Sequence, residues 1–296
     1  MPGNRYPPRL DILSSRAVNR SGGFAVEQAS VPGFRRVLRL ITYNVRRCLG
    51  IDGRLSPVRI AEVLASCRPD VVALQELDVG RMRSGMVDQA HAIAQHLGMR
   101  AHFHAALRVM EEEYGNAILT ALPSRLVRAE ALPGLPDRPH LEPRGALWAA
   151  ITAHDTEIQV IATHLGLRRR ERARQAEALL GSRFLSDPAC RPPVVLVGDL
   201  NAVPHSFAYR RLAGRLSDAQ RAPGMPRRQR TYPSACPLLR LDHVFVSEGV
   251  TVRRVEVVRG PLARIASDHL PLLVDLEVAG PRPGAVAHLG ERAGAA

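Results

Sequence analysis

The sequence predicts an α/β sandwich in which helices cover sheets of strands. Three observations predict it. Apolar segments of strand length alternate with a few helical segments between about residues 35 and 277. Several of those strands carry an acid, an amide or an imidazole at one end. No apolar run approaches the ~20 residues that span a bilayer, so the apolar segments belong to a core. A chain of 296 residues is long enough to bury a sizeable one.

Taken in order, residues 1–34 are rich in Pro, Gly, Ser and Arg without periodicity and read as a flexible basic tail. "VLRLITYNV" (37–45) reads as a strand. "SPVRIAEVLASC" reads as a helix, with Ser56 as N-cap and Pro57 at the first helical position. "DVVALQE" (70–76) is a second strand, apolar enough to be buried on both faces. "DQAHAIAQHLG" runs as a short helix from Asp88 to a stop at Gly98. "NAILT", "ALWAAIT" and "EIQVIATHL" are further strands, and "RRRERARQAEALLGSRFL" is strongly helical. "VVLVGD", a helix near "SFAYRRLAG", and the strands "LDHVFV", "TVRRVEVV" and "LPLLVDLEV" complete the folded region. Residues 278–296 are expected to be a disordered tail.

Composition narrows the class. The N-terminus has no continuous apolar stretch of the secretory type. Cys48, Cys67, Cys190 and Cys236 show no CxxC spacing, so neither a zinc site nor a disulfide framework is expected, and a cytoplasmic location is the simplest. The net charge of +13 comes from arginine alone, because the chain has no lysine. That bias fits phosphate-bearing partners, since arginine favours bidentate phosphate contacts, but it is weak support for DNA. A monomer is expected, and the basic tail leaves contact with a membrane surface open.

The polar strand ends carry the functional signal. Asn44 ends "ITYN", Glu76 ends "VVALQE", His164 ends "VIATH", Asp199 and Asn201 end "VVLVGDLN", Asp242 opens "DHVFV", and Asp268 and His269 precede "LPLLV". Each alone has a bland explanation in turn formation or capping. Together they are how α/β folds build a site from distant parts of the chain. Alternation along the strand is expected to point Asp199 and Asn201 the same way.

At these residues the sequence resembles the endonuclease/exonuclease/phosphatase superfamily, through "TYNVRRC", "VALQE", "YGNAILT", "THL", "GDLNAVP", "RLDHVFV" and "ASDHLPL". "GDLN" with a downstream "SDHLP" is the most specific pair. The resemblance implies a four-layer α/β sandwich, two packed, mostly antiparallel β-sheets flanked by helices, with the site at one rim. It implies a divalent-metal-dependent hydrolase of phosphodiester or phosphomonoester bonds, with a DNA or RNA nuclease as the runner-up and a non-catalytic binding module as a third reading. Mg²⁺, or Mn²⁺ in its place, is the expected cofactor, a hard cation suited to oxygen ligands. The resemblance makes Glu76 the first metal ligand with Asn44 beside it, and Asp268 a further ligand. It makes Asp199 the residue that aligns or deprotonates the attacking water and Asn201 a phosphate ligand. His269 donates to phosphate or exchanges a proton, with Asp242 fixing its tautomer. His164 is placed against the scissile phosphate, with Glu113 as its partner and Asn116 on the substrate side, while Tyr114 is expected to pack. Arg46 stands where several DNA-cleaving members have an acid, which puts a second metal in doubt. Arg144 is a further candidate anion ligand. The run Arg168–Gln175 reads equally as a phosphate-gripping wall and as a solvated helix face with Glu171 and Glu177 spaced to pair with its arginines.

Overall fold

The computed structural model of the chain describes residues 37–226 and 229–278. The expected N-terminal tail lies outside them, as does the C-terminal one except for Val278. In chain order the elements are β1 (Val37–Asn44), α1 (Pro57–Cys67), β2 (Val71–Val79), α2 (Gln89–Leu97), β3 (Arg100–Val109), β4 (Glu112–Thr120), β5 (Ser124–Leu132), β6 (Arg144–Ala153) and β7 (Thr156–His164). There follow α3 (Arg169–Leu180), β8 (Val194–Asp199), α4 (Phe207–Ala213), β9 (Ser217–Asp218), β10 (Asp242–Val246), β11 (Val250–Val257), α5 (Pro261–Ala266) and β12 (Leu272–Val278).

Local signals explain the helices. The Ser56 hydroxyl accepts from Arg59 N at 3.2 Å and Pro57 opens α1. The Asp88 carboxylate accepts from His91 N at 2.8 Å, and Gly98 closes α2 at φ +64°, a left-handed value glycine adopts without cost. Ser206 caps α4 through Tyr209 N. Such caps are each worth about 0.5–2 kcal/mol.

The strands form two six-stranded sheets, ordered β11-β12-β1-β2-β4-β3 and β5-β6-β7-β8-β10-β9. One parallel pair lies inside each sheet, β1 with β2 and β7 with β8, and all other pairings are antiparallel. Alternation sorts side chains into layers. Val160, Ala162, Val195 and Val197 face the core shared with the first sheet. Ile161, Leu196 and Phe245 face the opposite way, under Leu179 of α3 and Tyr209 and Leu212 of α4. Helices α1, α2 and α5 cover the first sheet, α2 packing on β2 and β3. The result is the four-layer sandwich. Burying each large aliphatic side chain contributes about 1.5–3 kcal/mol.

Three features differ from the sequence reading. Strands β3 and β5 lack a clear apolar alternation because they are sheet edges, half-exposed and rich in charged or polar residues. β2 runs on past Glu76 to Val79 through a bulge between Leu74 and Leu77. In α3, Glu171 is buried rather than paired on a solvated face: it accepts from Gln175 Nε2 at 3.3 Å and from Arg168 N at 3.5 Å. Gly166 makes room for it, since a Cβ there would lie 2.1 Å from the carboxyl carbon. Glu177 pairs with Arg211 of α4, not with Arg174.

Candidate active site

Topology alone brings the polar ends together. In the parallel pairs, Asn44 lies opposite Gln75, next to Glu76, and His164 lies opposite Asp199. The antiparallel partners begin where these strands end: Asp242 pairs with Asp199 across β10–β8, and β12 starts opposite Thr42 just after Asp268 and His269. One rim therefore receives the C-terminal ends of β1, β2, β7 and β8 and the N-terminal ends of β10 and β12.

The side chains close the arrangement. Asn44 Nδ2 donates to Glu76 Oε1 and to Asp199 Oδ2, both at 3.0 Å. The Nε2 atoms of His164 and His269 each lie 3.6 Å from Asp199 Oδ2. His269 Nδ1 is 2.8 Å from Asp242 Oδ2, which also accepts from the Thr231 hydroxyl. Ser267 Oγ donates to Asn44 O at 2.8 Å and holds the segment before β12 against β1. The cleft over these groups has a volume of ≈ 440 Å³. Glu76 sits in the β2 bulge at φ +61°, a left-handed value that costs a β-substituted residue about 1–3 kcal/mol and turns its carboxylate to the cleft.

Asn201 does not continue the strand. Its φ is +47°, and its N–H donates to Asp199 Oδ1 at 2.8 Å, an Asx-type turn. The two side chains meet through this turn, not through strand alternation. Asn201 Nδ2 donates to Leu165 O at 2.9 Å and lies 3.0 Å from His164 Nε2.

Protonation follows from the partners. Arg144 Nη1 lies 3.0 Å from His164 Nδ1. Arginine only donates, so Nδ1 accepts and the single ring proton sits on Nε2. Burial, with the charges of Arg144 and His269, holds His164 well below the usual histidine range. Burial also opposes a charged His269, but the carboxylates of Asp242 and Asp199 outweigh it and push His269 up to about 10. Burial, helped by Asp242, raises Asp199 against the pull of His269 and the Asn201 and Asn44 donors.

The remaining candidates separate. Asp268 lines the cleft with its carboxylate 30% exposed, and Arg46 Nε stands 3.6 Å from it while Arg46 N donates to Asn44 Oδ1 at 3.1 Å. Arg144 is buried, lines the cleft, and pairs with Glu142 Oε1 at 2.7 Å. Glu113 does not line the cleft. It pairs with Arg108 of the β3–β4 hairpin, and Tyr114, on the opposite face of β4, takes the place against Arg144. Asn116 is buried and donates to Gly145 O at 3.2 Å, linking the sheets behind the cleft. The sequence reading missed Arg47, Arg83, Tyr114 and Glu142 as cleft residues. Proximity to "VRRC", "YGN" and "EPRG" was the only signal for three of them.

The donor set suits a hard divalent cation. Glu76, the Asn44 amide oxygen and Asp268 are oxygen donors around a cleft, and the Glu76 carboxylate is 24% exposed, as a ligand that shares its metal with water should be. Asp199, Asp242 and His269 also lie within ligand reach of one another. There the His269 ring already lies between the two carboxylates, hydrogen-bonded to Asp242 at 2.8 Å and 3.6 Å from Asp199 Oδ2.

Facing sheets with carboxylates, amides and imidazoles gathered at one rim define a class of α/β-sandwich proteins with a polar rim site. The model of the Endonuclease/Exonuclease/phosphatase family matches residues 41–269, and the chain belongs to that family. Its members are generally hydrolases, act on phosphate-bearing substrates and typically use a divalent metal. The chain is 31% identical over 178 residues to the uncharacterized protein YbhP of Escherichia coli K12, covering 57% of this chain; it spans 64% of the length of the curated relatives it matches. A solved endonuclease/exonuclease/phosphatase from Beutenbergia cavernae superposes with a TM-score of 0.64 at 24% identity, covering 83% of this chain and 72% of that one. The Bacteroides thetaiotaomicron mannosyl-6-phosphatase Bt3783 superposes with a TM-score of 0.64 at 21% identity, over 81% and 99% of the two chains. At these identities the solved structures show the fold alone. No helix among the described residues is long and apolar enough to cross a membrane.

Proposed function

We propose that the protein is a divalent-metal-dependent hydrolase of phosphate esters, in which water attacks phosphorus in line with the leaving oxygen. The observation that supports this most is a pair of donors that cannot satisfy each other. His164 Nε2 and Asn201 Nδ2 stand 3.0 Å apart in the lining of the cleft beside Asp199, and with the ring proton on Nε2 both are donors. Two donors facing one another need a shared acceptor, which a phosphoryl oxygen supplies.

The remaining roles follow from geometry. Asp199, buried and raised by burial, is the acceptor for the water proton. His269, kept charged by Asp242, neutralises the phosphoryl charge and can protonate a leaving oxygen; it is not the resting base. Asn44 orients Asp199 and Glu76. Arg144 fixes the His164 tautomer, and Arg46 and Arg47 add positive charge at the rim. Glu76, Asn44 and Asp268 would hold Mg²⁺ or Mn²⁺, which when bound neutralises phosphate oxygens. The cleft, ≈ 440 Å³ in volume and lined by Tyr114 and Tyr232, suits a small ester headgroup better than a duplex track.

A magnesium-dependent screen of bis(p-nitrophenyl) phosphate, p-nitrophenyl phosphate, phospholipids, abasic duplex and supercoiled plasmid tests the reading. Turnover of a small ester, lost in Asp199→Ala, supports it. Plasmid nicking lost in the same variant supports the nuclease alternative. No turnover of any substrate with bound metal overturns both.

A further inference from the structure

The exposed apolar side chains of the described residues gather at one end of the sandwich. Every large one except Leu126 lies at the rim that carries the cleft, in a connection between strands there or in the first turn of a helix that starts there. The β3–β4 hairpin closes at that rim because β4 runs antiparallel to β2, with Val79 opposite Glu113. Among the described residues, the connections at the other end, such as 98–99, 121–123, 154–155 and 247–249, expose none. Loops at both ends face water, so the contrast is not a general property of loops.

Two hydrogen-bonded units carry most of this apolar surface. The first is the loop after β2 joined to the β3–β4 hairpin: Met82 N donates to Glu112 Oε1 at 2.9 Å and Arg81 Nε to Glu112 Oε2 at 3.2 Å. It presents Met82, 79% exposed, and Met110, 90% exposed, together with Met86, Val87 and Val109. Arg83 of the same loop lines the cleft. The second unit joins the segment after β1 to α5, where Ile51 N donates to Ile265 O at 3.0 Å. It presents Ile51, Leu55, Val58 and Ile265, and Arg47, just before it in the chain, lines the cleft. Leu167, 68% exposed, lines the cleft itself. Arg47, Arg54, Arg168, Arg169 and Arg259 lie on the same connections or at the start of α3, and none forms an ion pair among the described residues.

We infer that this rim docks the protein on an anionic lipid surface. The methionines and aliphatic side chains enter the interface, the unpaired arginines meet lipid phosphates, and the cleft opens onto the ester headgroups. Apolar side chains standing in water on the same segments as unpaired cations match a surface that is anionic outside and apolar beneath. Unbranched methionine adapts to such irregular apolar surroundings. A nucleic acid fits the set less well, because it is held by phosphate contacts and base stacking, and Phe207 is the one aromatic among these exposed side chains. The docking goes beyond the proposed function and adds to it that the phosphate ester is borne by a membrane.

Vesicle co-flotation of the full chain tests the inference, with vesicles of phosphatidylcholine alone and of phosphatidylcholine mixed with phosphatidylglycerol. The wild type should float with the mixed vesicles and far less with the neutral ones. Met82→Asp/Met110→Asp should bind the mixed vesicles at least about fivefold more weakly per substituted position, since each places a negative charge against an anionic surface. Leu126→Asp, away from the rim, should bind as the wild type does. Both methionines are exposed, so the fold does not depend on them. Independently, the indole emission of Met110→Trp should shift to the blue with mixed vesicles, and that of Leu126→Trp should not. Equal flotation of the wild type and the methionine double variant, which the basic residues 1–34 alone would give, overturns the inference. So does a Met110→Trp emission that vesicles leave unmoved. A solution dimer of the wild type that the double variant dissolves overturns it as well, because a second copy then covers the face. None of these readouts needs turnover: lost docking leaves the proposed hydrolysis standing, and failed hydrolysis leaves the docking standing.

Discussion

Replacing Asp242 by asparagine removes one buried charge and almost no volume. Asp242 is fully buried, and its Oδ2 takes the His269 Nδ1–H at 2.8 Å and the Thr231 hydroxyl. A hydrogen bond to a charged partner is worth about 1.5–3 kcal/mol. At 1.36 kcal/mol per pKa unit, His269 should titrate about one to two units lower in the variant. Its folded value, near 10, lies above the ordinary 6.5. Protonation of His269 therefore adds stability that is fully present below pH 6.5 and is lost as pH rises towards 10. In Asp242→Asn that loss should be complete one to two units earlier. Imidazole NMR titration in metal-free buffer reads the shift, and thermal unfolding across the same range reads the stability. A wild-type His269 titrating near its ordinary value, or an unchanged value in the variant, refutes the pairing.

Other substitutions probe the base, the core and one tight contact. Asp199→Ala should lower turnover of the accepted ester by about 10²–10⁴, measured as kcat under saturating magnesium; residual activity above a tenth contradicts its role as proton acceptor. Ile161→Ala, in the layer under α3 and α4, should cost about 2–5 kcal/mol in urea unfolding, whereas Leu126→Ala at a half-exposed edge should stay within about 0.5. Gly166→Ala should cost about 1–3 kcal/mol, because its Cβ would overlap the buried Glu171 carboxyl; an unchanged melting temperature refutes that packing.

The sequence spoke most clearly where side-chain period and end chemistry coincide. Val194–Asp199 is apolar up to its last residue and Val37–Asn44 is broken only by Arg39 and Thr42, so both the strand and its functional terminus were visible. The α1 and α2 caps were visible because capping is local. β3 and β5 were not, since an edge strand has half a face to bury and blurs its own period. At the site, Asn44, Glu76, His164, Asp199, Asn201, Asp242, Asp268 and His269 converge as their strand ends suggested. Glu113 and Tyr114 were interchanged because a choice between neighbours depends on which face of β4 meets the cleft, and the bulges between Leu74 and Leu77 and between Ala105 and Leu107 set that register. Thr231 as a partner of Asp242 had no signal, for its contact depends on the ladder with Leu239.

The most direct test is crystallographic: the protein grown with Mn²⁺ and phosphate, with data collected at the manganese edge. The account predicts an anomalous peak held by Glu76 and its neighbours Asn44 or Asp268, and a phosphate within hydrogen-bond reach of both His164 and Asn201. Manganese bound elsewhere while Glu76 and Asp199 face separate solvent would contradict it.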